Sequence, residues 1–388
     1  MITTDKLYRL ISTLQSAEKR FFKLLVSRQE GGSQQYMHLF QLMEGSIVRD
    51  FHNDPVFTLD EDALIVRMKR KGVPEQQFHV IRYQLAQMLF KALRLMQEEH
   101  NKEDAIKILL KNAGLLARRG LYEWAEEEAE EAFETAHQYE YHALAVEALS
   151  QLVYIRSQRD TQRYSEKMTT YLQNIEMESR YFQEEQQLFS LSYQALTLFR
   201  TAKGLPPEIA ERQMAQLSAH PRLHSGEEAE TFFSKLYYRQ ARAILAHLRS
   251  GYHEAMPLFA RVVELWEDPA YRHMQEERPR LFIVHLSNYL NFCVTTGNYA
   301  AYERHIGSLE NFKPANPDDE AEVFQNTVFL QQLHYLNRCM LGEAVKLIPH
   351  IEKGLKKYAF KINKSRLFSI RYHIILTFFA LGQHEKVL

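Results

Sequence analysis

The sequence predicts an all-α chain, most of it an α-solenoid in which antiparallel helix hairpins stack into a right-handed superhelix. Three observations carry that expectation. Glycine and proline are scarce and cluster between amphipathic segments, and β-branched runs of period two are nearly absent. Turn signals recur 40 to 48 residues apart between Gly120 and Gly382. Each signal follows one amphipathic segment and opens another, as in Gly120-Leu121-Tyr122-Glu123-Trp124-Ala125, Gly251-Tyr252-His253-Glu254-Ala255 and Gly297-Asn298-Tyr299, with weaker forms at Leu341-Gly342-Glu343-Ala344 and Gly382-Gln383-His384. Two further hairpins, turning near Asp160 and at Gly204-Leu205-Pro206-Pro207, are recognisable by spacing. About seven hairpins result over 101–388, the last incomplete at Leu388, so a fragment or a partner-covered last face is expected.

The individual elements follow from periodicity and caps. Residues 1–100 lack the glycine-aromatic signal but hold amphipathic segments at 4–28, 34–46, 59–71 and 75–99, read as an N-terminal helical module or cap. Thr58 with Glu61 reads as a capping box for the third of these. Around Gly120, Ile106, Leu109, Leu110, Ala113, Leu116 and Ala117 share one helical face, and Ala125, Ala129, Ala132, Phe133 and Ala136 share another. Small residues there let two helices approach closely. Glu126, Glu127, Glu130, Glu131 and Glu134 fall opposite, on a face expected to be solvated. Further helix starts are expected at Ser225 with Glu228, a capping box, and at Asn316-Pro317 followed by Asp318, Asp319 and Glu320. Pro349 lies inside a helical pattern, where its missing N–H predicts a kink.

These units resemble tetratricopeptide repeats over roughly 101–388. Ala255-x-x-x-Phe259 after Gly251-Tyr252 fits that family's small-aromatic pattern. The unit at Gly120 has Ala125 and Ala129 without the phenylalanine, and Tyr302 stands where the family places a small residue. The family unit is about 34 residues, whereas Gly251 and Gly297 are 46 apart, so the resemblance is to a divergent array with longer helices. It implies a concave surface lined by the first helix of each hairpin, and through it a scaffold or adaptor that binds a protein or peptide. The groove positions so assigned are Tyr237, Tyr238, Gln240, Arg242, His247, Asn288, Asn291, Arg371 and Tyr372. Asparagine can hold both an N–H and a C=O of an extended peptide, and arginine can grip a carboxylate in bidentate fashion. Asn288 matches the placement of asparagine in peptide-binding grooves of the family; a bond to a neighbouring helix is the equal alternative.

Other function classes draw less support. Forty-eight basic residues against forty-nine acidic ones give no global field toward nucleic acid or membrane. Arg67-Met68-Lys69-Arg70-Lys71 is the one dense basic run, and a helix C-terminus accounts for it. It still leaves a second reading, a ligand-responsive regulator whose N-terminal module contacts DNA or a signalling protein. Cys293 and Cys339 form no metal-ligand or redox spacing, which points to a reducing compartment. His220-Pro221-Arg222-Leu223-His224 is the closest histidine pair and has no converging acid. No GxxxxGK[ST], GxSxG, HExxH or paired CxxC occurs, so no cofactor, metal or catalytic activity is expected. The N-terminus is not a secretory signal. The most apolar stretch, Leu367 to Leu381, is interrupted by Arg371 and His373 and is shorter than the roughly 20 residues of a membrane span. A cytoplasmic protein is the expectation.

Overall fold

The computed structural model describes residues 2–27, 33–49, 55–97, 101–158, 165–224, 229–314, 317–358 and 361–386. Its chain divides into two compact units, Met1–Asn101 and Lys102–Leu388. Both are helical, and helices adjacent in sequence pack on one another.

The first unit contains α1 (Thr4–Thr13), α2 (Ser16–Ser27), α3 (Ser33–Gly45), α4 (Glu61–Lys69) and α5 (Phe78–Gln97), with a two-stranded antiparallel ladder of β1 (Ile47–Arg49) and β2 (Pro55–Phe57). Two expectations are corrected here. The segment at 4–28 is two helices, because Leu14 adopts extended backbone and the chain restarts at Ser16. Asp60, not Thr58, caps α4 by accepting from Ala63 N–H at 2.8 Å. Thr58 instead closes the ladder, donating from both its hydroxyl and its N–H to the Ser46 carbonyl at 2.8 and 2.9 Å. Leu7, Ile11, Phe22, Phe40, Met43 and Leu64 form the centre of this core.

The second unit runs α6 (Lys102–Ala117), α7 (Tyr122–Gln138), α8 (His142–Ser157), α9 (Ser165–Thr201), α10 (Pro207–Ser218), α11 (Pro221–His224), α12 (Phe232–Ser250), α13 (Tyr252–Glu267), α14 (Arg272–Glu277), α15 (Pro279–Thr295), α16 (Tyr299–Glu310), α17 (Pro317–Asn337), α18 (Leu341–Lys357) and α19 (Lys364–Ala380). Helix α6 packs on α7, α12 on α13, α15 on α16 and α17 on α18; α6 also meets α8, α15 meets α17, and α17 meets α19. The alanines of α6 and α7 are buried against α8. From α12 onward the core changes to large rings, with Phe232, Trp266 and Phe282 fully buried. Tyr302 lies within that core and stacks on His334 at 4.3 Å, so an aromatic fills the position where a small residue was the rule.

The glutamate face of α7 is exposed at Glu127, Glu131 and Glu134, as expected, and departs from that expectation at Glu126 and Glu130. Glu126 is buried and pairs with Arg156 of α8, and Glu130 accepts from Tyr171 at 2.6 Å and Lys167 at 3.1 Å on α9. Those carboxylates join helices and are not part of a solvated face. The turn near Asp160, the pair Ser225 and Glu228, and Asn316 lie outside the described residues.

Left-handed backbone closes the sharp reversals. Gly120, Gly251, Gly297 and Gly382 have φ of 75°, 78°, 74° and 70°, and Glu140 and Cys339 adopt φ of 55° and 53° at equivalent places. In the pattern of a Schellman cap, the amide after this residue returns to the carbonyl five residues back: Leu121 to Leu116, Tyr141 to Ala136, Asn298 to Cys293, Met340 to Tyr335 and Gln383 to Phe378, at 2.8 to 3.1 Å. Cys339 makes the reversal that the sequence suggested at Gly342, which instead sits in the first turn of α18.

Cys339→Gly is expected to raise the unfolding free energy by about 0.5–1 kcal/mol by relieving left-handed strain. Glu140→Gly is expected to lower it by about 1–2 kcal/mol, because its carboxylate holds two buried amides described below. Paired urea titrations decide both signs. Gly354 of α18 lies against the Phe324 ring of α17, where an added methyl would collide with it. Gly354→Ala should therefore lose about 1–3 kcal/mol in the same titration, by overpacking.

Candidate functional site

Helix α9 is 37 residues long, about 55 Å at the α-helical rise, and its two halves do different things. Its C-terminal half buries Leu188, Leu191 and Ala195 in the core it shares with α12, and Leu198 is buried as well. Ser192 on the same side donates to Gln240 Oε1 at 2.8 Å. The opposite side stays open because α10, returning through the tight turn at Ala202–Gly204, covers only part of it. Pro207 at the first helical position starts α10.

Between α9 and α10 lies a groove of about 1170 Å³. Phe182, Phe189 and Tyr193 line it and are 39%, 37% and 47% exposed. Phe189 and Tyr193 form a continuous platform with ring centroids 4.4 Å apart, and Phe189 rests edge-to-face on Tyr237 at 5.2 Å. Amides, hydroxyls, leucines and one histidine fill the remainder: Gln183, Gln186, Gln187 and Gln194 from α9, Gln213 and Gln216 from α10, with Ser190, Thr197 and Thr201, the partly covered Leu191, Leu198 and Leu217, and His220. No Asp, Glu, Lys or Arg lines it. Glu184, at its edge, is paired with Arg222 at 2.8 Å. Such a lining can hold neutral polar groups and apolar side chains, and it has no Lys or Arg to offer a phosphate or carboxylate.

The nine positions proposed from sequence are placed as follows. None lines this groove, but Tyr237 and Gln240 buttress α9 from behind. Tyr238 is buried and accepts from the exposed Arg242 at 2.9 Å. His247 sits among the rings of Phe199, Tyr252 and Phe292, and burial lowers its pKa. Asn288 is exposed and Asn291 half-buried on α15, and Arg371 and Tyr372 are exposed on α19. The groove went unnoticed in sequence although it has a signal: Gln186 to Phe199 is a fourteen-residue helical run without a charge.

The other half of α9 carries a buried polar hub. Glu178 is fully buried, and each of its oxygens accepts from a histidine, His137 Nδ1 and His142 Nδ1, both at 2.6 Å. Burial alone would raise Glu178, yet the two histidine hydrogen bonds outweigh it and hold the carboxyl below its usual range. The hydrogen bond to Glu178 raises His137. Glu140, in the left-handed turn between α7 and α8, accepts from Phe232 and Phe233 N–H at 2.7 and 3.0 Å, capping α12. Tyr141 donates to Glu277 at 2.6 Å, and Arg278 lies over the Tyr141 and Phe233 rings at 4.7 and 5.7 Å. One turn thus fixes α7 and α8 to α9, α12 and α14.

Among the described residues no group of three or more His, Cys, Asp or Glu is arranged to hold a metal ion, and no helix is long and apolar enough to cross a membrane. Lys69 of the basic run pairs with Glu75 at 2.5 Å. Comparison with protein-family models, curated proteins and solved structures finds no match.

Burial raises Glu185, two turns along α9 from Glu178, to about 7. The folded state then holds a proton that the unfolded chain has lost above 4.5, so this group's contribution falls as pH rises from about 4.5 to about 7. Histidine His137 and Glu178 shift the other way: their pair is fully stabilising between about 4.5 and 6.5, weakening as pH falls through the folded value of Glu178 or rises through that of His137. Glu185→Gln should therefore be more stable than wild type at pH 8, by on the order of 2–3 kcal/mol, and about equal to it at pH 4.5. Denaturant midpoints at the two pH values test this, and a variant no more stable at pH 8 refutes it.

Proposed function

We propose that this protein is a non-catalytic scaffold or adaptor that binds a protein or peptide through the surface of a helical-repeat array. The observation that supports this most is the aromatic groove between α9 and α10, lined by no Asp, Glu, Lys or Arg. A surface of exposed rings set among exposed amides has affinity to offer a partner. The regular reversals and the contacts between successive first helices, α15 with α17 and α17 with α19, are in keeping with a tetratricopeptide-like right-handed superhelix. In such an array Asn288, Asn291, Arg371 and Tyr372 would add polar contacts along the concave side. The cytoplasm is the compartment this reading implies, and no cofactor enters it.

Affinity capture from the source cell's lysate tests it, with wild type, Asn288→Ala/Asn291→Ala and Phe182→Glu/Tyr193→Glu run side by side. A partner retained by wild type is expected to be reduced by about tenfold or more in at least one variant. Capture of no partner, or equal retention by all three, counts against the reading.

A further inference from the structure

Resting on the scaffold reading above, we infer that the exposed face of α19 is covered by an amphipathic α-helix of a partner protein, apolar along its inner face and acidic along the edge that meets Lys364 and Arg371.

The face is an apolar row. Phe368, Tyr372, Ile375 and Phe379 follow one another at steps of four, three and four residues, so they line one side of α19 over about 17 Å. They are 73%, 49%, 42% and 62% exposed. Phe368 and Tyr372 lie parallel, with ring centroids 6.5 Å apart. Large apolar side chains exposed together in one row differ from the scattered ones of an ordinary surface.

The preceding hairpins show what such a row meets. Cys339 and Gly382 make the same left-handed reversal after α17 and α19. Aligning the two helices on them sets Phe368, Tyr372, Ile375 and Phe379 against Gln325, Phe329, Gln332 and Leu336. Those four α17 positions are buried or half-buried, and two of them touch α19 or its cap. Gln325 accepts from the N–H of Asn363, the N-cap of α19, at 3.0 Å. Phe329 stacks on His373 at 5.2 Å and lies under the Arg366 guanidinium at 4.0 Å. Aligned on Gly297, the corresponding α15 positions are Ile283, Ser287, Leu290 and Val294, all buried. Both α15 and α17 thus have this row under cover, and on α17 the cover is a helix.

The chemistry of the row also selects a helix. Its one polar group is the Tyr372 hydroxyl, so an extended strand laid on it would bury N–H and C=O groups without partners. A helix arrives with those groups bonded internally, and steps of four and three are the spacing at which two helices mesh their side chains.

Charge selects the edge. Between Lys364 and Ala380, α19 has no Asp or Glu. Arg366 is engaged by Asn326 Oδ1 at 3.1 Å and by the Phe329 ring. Lys364 and Arg371 are exposed and seven residues apart, so both flank the row on the same side. A partner helix with Asp or Glu along that edge meets two cations. A second copy of α19 would bring further cations and no acid, which disfavours a two-fold pair.

The test is selection on the intact chain from two display libraries, one of helical peptides randomised at heptad positions a, d, e and g and one of unstructured dodecapeptides. Enriched peptides are then titrated against wild type, Phe368→Ala/Phe379→Ala and Arg371→Glu. All three substituted side chains are exposed, and a thermal melt confirms that each variant is folded. The helical library is expected to yield apolar residues at a and d with Asp or Glu at e or g. Affinity should fall by about tenfold or more in the double variant and by about threefold or more in Arg371→Glu, and it should weaken as salt is raised. Basic flanks, enrichment from the unstructured library alone, or affinity indifferent to both variants would overturn the inference. Wild type that self-associates and becomes monomeric in the double variant would assign the face to a second copy and overturn it too. No enrichment from either library would overturn the inference but not the scaffold reading, which the lysate capture decides.

Discussion

At six reversals of the second unit one residue enters positive-φ backbone, and at five of them, all but Gly251, the next amide turns back onto the last carbonyls of the finished helix. The helix ends would otherwise bury carbonyls without partners. Four of the six positions are glycine, where the conformation is nearly free of strain. Glu140 and Cys339 accept the strain, and the difference between them is instructive. Glu140 uses its turn to aim a carboxylate at two N–H groups of α12, whereas Cys339 is exposed and makes no comparable contact. Strain at the first position is offset by a tertiary bond; at the second it is simply tolerated.

Side-chain size along the array then sets how the helices meet. Alanine on both faces of the α6–α7 hairpin brings backbones close, and carboxylates of α7 reach past it to Arg156, Lys167 and Tyr171. Further on, the rings of Phe232, Trp266 and Phe282 meet one another between α12, α13 and α15. Even polar groups conform to this core: Trp266 donates to the buried Nδ1 of His285 at 3.2 Å, and burial holds that histidine neutral with a pKa lowered to about 4. The hub around Glu178 lies where the two packing styles join, and an ionised carboxylate with two histidine donors is stable there because each of its oxygens is satisfied.

Much of this was legible in the residues, for physical reasons that also mark the limit. Gly120, Gly251, Gly297 and Gly382 announce reversals because only glycine takes left-handed backbone without strain, and the alanine stripe at 125, 129, 132 and 136 announces a close helix pair. Glu140 and Cys339 could not be read the same way, since neither is a residue type that favours left-handed backbone, and the bonds that hold Glu140 there come from α12, far along the chain. Thr58 and Asp60 were equally good caps locally, and the ladder's claim on Thr58 decided between them. Solvation was the hardest property to foresee. Glu126 fell on a face that periodicity marks as outer, but Arg156 from α8 covers it. Tyr237 and Tyr238 are aromatic and polar enough for a groove, yet α9 packs over them.

The division of α9 connects these points to recognition. Around Glu178 the helix is locked by ionised and hydrogen-bonded groups, and from Gln186 to Phe199 it carries no Asp, Glu, Lys or Arg. A long helix anchored firmly at one half can present the other without a covering element, since its backbone bonds are internal and its buried stripe of Leu188, Leu191, Ala195 and Leu198 already fixes its rotation. The exposed side is then released from any packing duty. Glutamines there are hydrated in the free protein, so exchanging water for a peptide N–H and C=O is nearly neutral, and the rings supply the net gain. Discrimination comes from the other direction: a ligand that leaves an amide or a charge unpaired in the groove loses more than a matching one gains.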